Sequence, residues 1–489
     1  MLENLKKTVK HSAIYSLGTI STKLIGIVLL PLYTKNITVS EYGIYGIIEI
    51  TIMILTQVLT LGQAQSYLRL YEEQEYINKR KSVLFTILIF QATVCLIFTA
   101  IGYKLIPWIS MHFQNPLLFT IYFRISLSII VLRIINRTLL NVLRIQEKSL
   151  LYASLNIVKF ILIMLLNVYF IAIKGIGIRG ILYSYLIGDA FLILSLIPII
   201  INQISFKFEF KILKESLLFG IPLIFSALSS MLLNMGDRYV LKLLVDYKEV
   251  GIYSLGYKVA GILNVFFIQA FMLGLIPIAY KMYEQKGDKR YYSKMLTYFI
   301  FMLFFCGLAL SIFSKELIKT FALVSSYWSA SNIVPYIVLG YILSGTKFFY
   351  NMGLYLKKKT KFIAYNMVGA AVFNIALNFL LIPSMKMYGA ALATIISFFV
   401  LDIVTYVQAQ RFYKIPYENQ KLLLMLFISI TLYLISNLTN GMVILPRIII
   451  KLLIIFSFPF ILYVFKFYEP IELATIKAKW SKLTSSFKK

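Results

Sequence analysis

The chain has 489 residues, of which 60% are hydrophobic and only 14% charged, and its mean hydropathy is +0.82. Soluble domains average ~45–50% apolar and ~25% charged residues, so this composition excludes a water-soluble enzyme or binding domain and indicates a membrane protein. The net charge of +29 is no sign of nucleic-acid binding, because Lys357-Lys358-Lys359 and the Lys477–Lys489 tail are placed to face an anionic inner leaflet.

Fourteen apolar runs follow one another at about 11–34, 42–68, 82–107, 117–143, 150–173, 178–201, 215–244, 250–279, 295–313, 331–355, 362–383, 389–410, 421–438 and 447–466. Each can cross a hydrocarbon core of ~30 Å, which takes about 20 helical residues. The first run starts after Lys6, Lys7 and Lys10 and lacks a small-residue cleavage site, so it reads as an uncleaved signal anchor. Pro31 is its best candidate for a functional kink. With the N-terminus inside, the inner segments carry about three times the lysine and arginine of the outer ones, which predicts a multi-pass protein with both termini in the cytoplasm. Cys95 and Cys306 stand alone in the third and ninth runs, and His11 and His112 lie at predicted interfaces. No disulfide, metal site, cofactor or histidine relay is expected from them. The longest outer connection, about Ser314 to Ser331, is too short to carry a catalytic domain.

The chain repeats itself. Glu41-Tyr42-Gly43-Ile44-Tyr45 returns 208 residues later as Glu249-Val250-Gly251-Ile252-Tyr253. Gly180-Ile181-Leu182 precedes Gly389-Ala390-Ala391 by 209 positions, and Glu147-Lys148-Ser149 precedes Lys358-Lys359-Thr360 by 211. Three matches in order at a nearly constant offset imply duplication. The expected architecture is therefore all-α and integral to the membrane, with about fourteen transmembrane helices. Residues 1–201 form an N-terminal six-helix lobe, 202–214 a cytoplasmic connector, 215–410 a C-terminal six-helix lobe, and 411–489 a further helix pair with a basic tail. Both lobes begin on the cytoplasmic side, so they are related in parallel, about an axis along the membrane normal.

The chemistry lies in the charges inside the runs. Lys23, Arg124, Arg133, Arg137, Lys159, Arg238, Lys258 and Lys347 are basic; Glu49, Asp189, Asp237 and Asp402 are acidic. A charge at the bilayer centre costs at least ~2.5–3.5 kcal/mol, so such residues face a wet cavity or a partner. The basic excess suits an anion, above all a phosphate or diphosphate. Arg133 and Arg137, four residues apart, share a helix face and can point to the cavity or to inner headgroups. Asp237 and Arg238 are adjacent, so Asp237 is expected to pair with another span. Asp189 and Asp402 occupy roughly equivalent places in the two lobes and are candidates for ion coupling or internal pairing, as are Glu49 and Asp237. Tyrosines in spans 2, 7, 8 and 10 can stack on sugars, but nothing in the sequence selects among them.

Three segments carry a family resemblance. They are Pro31-Leu32-Tyr33-Thr34 with Ser40-Glu41-Tyr42-Gly43-Ile44-Tyr45, then Gly236-Asp237-Arg238-Tyr239 with Val250-Gly251-Ile252-Tyr253-Ser254 and Tyr257-Lys258, and Tyr388-Gly389-Ala390-Ala391-Leu392-Ala393-Thr394. In this order they resemble the polysaccharide transporter family, including Wzx-type O-antigen flippases, of the multidrug/oligosaccharidyl-lipid/polysaccharide exporter superfamily, whose fold is MATE-like. The resemblance implies a flippase in the bacterial cytoplasmic membrane. Its cargo would be undecaprenyl-diphosphate-linked oligosaccharide repeat units for O-antigen, capsule or a related polymer. Alternating access would run through a central cationic cavity, with membrane lipids around it, a proton or sodium as candidate coupling ion, and polysaccharide polymerase machinery as a candidate partner. Lys23, Arg238 and Lys258 fall in or beside matched segments and are the first candidates for diphosphate contact; Arg69, Arg124, Arg137 and Lys347 follow. The alternatives are a teichoic-acid or peptidoglycan-precursor flippase, then a multidrug cation exporter, and last a membrane glycan polymerase.

Overall fold

The computed structural model describes residues 25–470 and 473–474, so Lys23 and most of the first expected span lie outside it. The described residues are helical from end to end, with no strand among them. After a helical turn at 25–28, α1 (Leu30–Asn36) restarts with Pro31 in its first turn, where a helix has no use for the missing N–H. The N-terminal lobe continues with α2 (Val39–Leu59), α3 (Gln63–Glu72), α4 (Arg80–Ser110), α5 (Pro116–Ile145), α6 (Ser149–Asn167) and α7 (Ile178–Ile201). The second comprises α8 (Phe210–Met235), α9 (Asp237–Leu244), α10 (Tyr247–Leu263), α11 (Ala270–Met282), α12 (Asp288–Ile312), α13 (Ser314–Phe321), α14 (Val334–Leu356) and α15 (Thr360–Phe412). The appended pair is α16 (Asn419–Asn437) and α17 (Ile444–Val464).

The repeated phrase starts equivalent helices. Thr38 caps α2 by accepting from the Glu41 N–H, while the Glu41 carboxylate accepts from the Thr38 N–H, a complete capping box. Asp246 caps α10 in the same way by accepting from the Glu249 N–H. Between α2 and α3 the chain turns at Gly62, whose φ of 68° lies in the left-handed region.

Eleven helical stretches among the described residues are long and apolar enough to cross a membrane, and the bent pair Ser325–Asn332 and Val334–Leu356, angled by 44°, makes a twelfth. The described residues do not confirm the count of fourteen. The first expected span is largely outside the described residues, and the expected spans at 362–383 and 389–410 are the two arms of α15. That stretch breaks at Lys386, with φ 49° and ψ −129°. Its arms fold back on each other, since the Asn374 amide donates to the Ser397 hydroxyl over 3.3 Å and the Asn366 amide to the Gln408 carbonyl over 2.8 Å.

Candidate functional site

The two lobes meet most closely where the repeated phrase crosses itself. A methyl group on Gly43 would lie 1.8 Å from the Tyr247 carbonyl oxygen, and one on Gly251 would lie 2.1 Å from that of Val39. No side chain fits, so glycine at both places lets α2 and α10 touch through their backbones. The same end is fastened a second time by the last residue of α13 and the stretch after it. The Tyr327 hydroxyl donates to the Ile37 carbonyl over 3.0 Å, and the Thr34 hydroxyl to the Phe321 carbonyl over 3.1 Å.

Beyond this crossing, between α2 of one lobe and α9, α10 and α14 of the other, lies a cavity of about 190 Å³. Arg238, Lys258 and Glu49 supply its charges, and Tyr42, Tyr45, Tyr257, Tyr341 and Ser254 part of its walls. The Lys258 ammonium stands 3.3 Å from a Glu49 carboxylate oxygen across the lobes. The alignment is too poor for a hydrogen bond, and among the described residues that ammonium has no other polar partner. It rests instead near the faces of Tyr45 and Tyr42, at 5.1 and 5.6 Å from the ring centres. Gly26 gives it room, since a methyl group there would lie 3.5 Å from the ammonium. Glu49 is held by the Tyr45 hydroxyl, which donates to it over 3.2 Å.

Arg238 is more rigidly set. Its guanidinium lies 4.0 Å from the centre of the Tyr257 ring and donates to the Asp237 carboxylate over 3.1 Å, with the Asn234 carbonyl at 3.2 Å. The second Asp237 oxygen accepts from the Tyr253 hydroxyl. The expectation that Asp237 pairs with another span is therefore corrected: its charged partner is its own neighbour, and only the Tyr253 hydroxyl reaches it from α10. Both residues stand in the first turn of α9, and the long Arg238 side chain reaches back over that turn to the carboxylate and to the Asn234 carbonyl.

The remaining candidates are dispersed. Asp189 on α7 accepts from Arg133 of α5 over 3.0 Å and pairs with Lys159 of α6, inside the N-terminal lobe. Arg137 donates to Gln57 over 2.7 Å. Arg124 lies against the Tyr103 ring at 5.0 Å, away from the cavity lining. Arg69 is at the surface, 2.8 Å from Glu73. Lys347 is buried between Phe348 and Phe398, with the Met367 sulfur 4.0 Å from its ammonium. Asp402 is buried with neither carboxylate oxygen bonded among the described residues. Of the expected substrate contacts among the described residues, only Arg238 and Lys258 share the cavity, and Glu49 joins them. The cavity tyrosines have no distinguishing spacing among the chain's 35 tyrosines; only contact across the lobes singles them out.

Residues 8–283 match the sequence profile of a family described as polysaccharide biosynthesis protein. The chain belongs to this family. No curated protein matches it in sequence. Solved structures show the fold that this family member shares with the MOP superfamily. A lipid II flippase, MurJ, in an inward closed conformation is 16% identical, with a TM-score of 0.74 over 93% of this chain and 100% of its own. VcmN, a MATE transporter from Vibrio cholerae, is 14% identical, with a TM-score of 0.61 over 83% and 96% of the two chains. A MOP superfamily transporter from Pyrococcus furiosus, described as having a binding pocket of reverse polarity, is 14% identical with a TM-score of 0.58 over 83% and 95%. The family description places the chain in polysaccharide biosynthesis, and the solved structures show a shared fold.

Proposed function

We propose that this protein is a flippase that carries a polyprenyl-diphosphate-linked oligosaccharide repeat unit from the cytoplasmic to the outer leaflet of the bacterial cytoplasmic membrane. The observation that carries the reading is the placement of Arg238 and Lys258 in one cavity between the lobes, at the boundary that alternating access opens and closes. Diphosphate offers oxygen acceptors that both cations satisfy by charge-assisted hydrogen bonds. Hydrocarbon rejects such a head, because each polar group loses water without replacement, and a wet cavity open sideways lets the head pass while the tail stays in lipid. Ligand sites typically measure ~300–1,000 Å³, so the cavity of about 190 Å³ belongs to a contracted state that must widen to admit sugars. A cationic drug fits less well, because both carboxylates at the site, Asp237 and Glu49, already face a cation of the protein.

The fold likeness to a lipid II flippase favours one second reading, a peptidoglycan precursor as cargo, with the same phosphate chemistry. Deletion in the source organism separates the two. Loss of surface polymer with intact growth supports the repeat unit, whereas lysis supports the precursor. Intact polymer and new drug sensitivity would sink both readings. In the complemented strain Arg238→Ala and Lys258→Ala each remove a charge-assisted contact of about 1.5–3 kcal/mol, so export should fall by about one to two decades at matched membrane abundance.

A further inference from the structure

The two lobes treat their buried aspartates in opposite ways. Asp189 is saturated by Arg133 and Lys159. Its counterpart Asp402, about one turn further along the matching arm, is 4% exposed, and neither carboxylate oxygen has a hydrogen-bond partner among the described residues. At the 213-residue offset that relates the two aspartates, Thr346 and Val372 stand where Arg133 and Lys159 stand in the first lobe, with Lys347 one residue beyond Thr346. The second lobe has thus kept the acid, while Lys347, next to the position of Arg133, makes no hydrogen bond to it among the described residues. An ionised carboxylate left in this way bears a desolvation penalty of several kcal/mol. A bound proton removes it.

Asp402 also faces open space. It lines a cavity of about 450 Å³ bounded by α12, α14, α15 and α16, separate from the central one. The titratable groups around it are few. Lys347 on α14 closes no contact with it among the described residues, since neither Asp402 oxygen has a hydrogen-bond partner and the Lys347 ammonium reaches only the Met367 sulfur at 4.0 Å. Tyr350 on α14 and Tyr406 on α15 line the same cavity, with the Tyr417 ring 5.3 and 6.2 Å from theirs. The sides given by α12 and α16 are apolar except for Asn419, which is exposed at the start of α16 and donates to the Tyr406 hydroxyl over 3.2 Å. Tyr406 and Asn419 therefore mark a polar route from Asp402 to the surface. No group of three or more His, Cys, Asp or Glu gathers here among the described residues.

We propose that Asp402 is a proton-binding site of the C-terminal lobe, loaded through the cavity beside Tyr406 and Asn419. In the conformation described it holds the proton, and Lys347 remains in its pocket of Phe348, Phe398 and Met367. If Lys347 closes onto the carboxylate, the ion pair displaces the proton, coupling proton release to movement of α14 against α15. This site does not depend on the identity of the cargo. The test is infrared spectroscopy of the purified full-length protein in lipid nanodiscs at neutral pH, reading the protonated-carboxyl stretch and its shift in heavy water. The wild type should show one such band, Asp402→Asn should lose it, and Glu49→Gln, which alters the other carboxylate beside a lysine, should keep it. Absence of the band from the wild type overturns the proposal without recourse to any variant. Its survival in Asp402→Asn, or its loss in Glu49→Gln instead, overturns it as well.

Discussion

Asp189 shows how one residue ties a lobe together. It is 1% exposed and gathers Arg133 from α5 and Lys159 from α6 onto α7, while the Asn136 amide donates to its backbone carbonyl over 2.9 Å. Removing one partner of a buried ionic set leaves the rest uncompensated and costs about 3–5 kcal/mol. Asp189→Ala should therefore lower the melting temperature in detergent and the membrane abundance, while Arg124→Ala, at a lipid-facing tyrosine, should change neither by more than about 0.5 kcal/mol. Equal melting of the two variants would show that the three charges do not hold the helices. The intramembrane charges were legible in the sequence, because ionisable side chains in apolar runs are conspicuous. Their grouping was not. Arg133 and Arg137 share a helix face, yet one meets Asp189 and the other Gln57, because helix rotation and tertiary neighbours decide contacts that spacing along one helix cannot. The side chains sequence reasoning left unselected, Tyr42, Tyr45, Tyr257 and Tyr341, are the ones that frame the cations.

At the scale of the helix, the repeated Glu-x-Gly-Ile-Tyr phrase was plain in the sequence, and its purpose became visible only when α2 and α10 were brought together. Glu41 serves the start of α2, the Glu249 carboxylate accepts from the Met387 N–H of α15 over 3.3 Å, and the glycines serve the crossing. Gly251→Ala places a methyl group against the Val39 carbonyl oxygen, an atom of backbone that cannot rotate away. Overpacking of this kind costs about 1–3 kcal/mol, and 1.4 kcal/mol is a tenfold change in population. Spin labels at the exposed positions Lys35 and Lys248, one on each lobe beside the crossing, should report a shift toward longer separation in Gly251→Ala. An unchanged distance distribution in a normally abundant variant would show that the crossing does not set the closed state. The role of the segment between α12 and α14 was not legible in the sequence for a different reason. The eight residues of α13 are too few to display a helical period, and the Tyr327 and Phe321 contacts that bind this segment to the first lobe lie about 290 positions away in sequence.

For the whole molecule, we read the two lobes as a duplication, in which α16 and α17 have no counterpart and need their own attachment. It lies in one knot of charge. The Lys451 ammonium of α17, on a residue 1% exposed, donates to both oxygens of Glu316 at 2.9 Å and to the Ile312 carbonyl at 2.9 Å, and Arg447 approaches the same carboxylate at 3.0 Å. Around the knot α17 offers lipid an apolar surface that any neighbouring helix could equally face, so apolar contact alone specifies its position poorly. The charges give it a defined place at the end of α12. Lys451→Met removes the buried cation along with its need for a partner and should cost little, whereas Glu316→Gln strands Lys451 and should cost about 3–5 kcal/mol. If the knot is what seats α17, the double variant should recover most of the loss of Glu316→Gln, giving a coupling energy of the size expected for side chains in direct contact, about 0.5–3 kcal/mol. Thermal melting of the four proteins in one detergent reads this cycle. Simple additivity would mean that α17 is held by its apolar surface and that the charges are incidental to its seat.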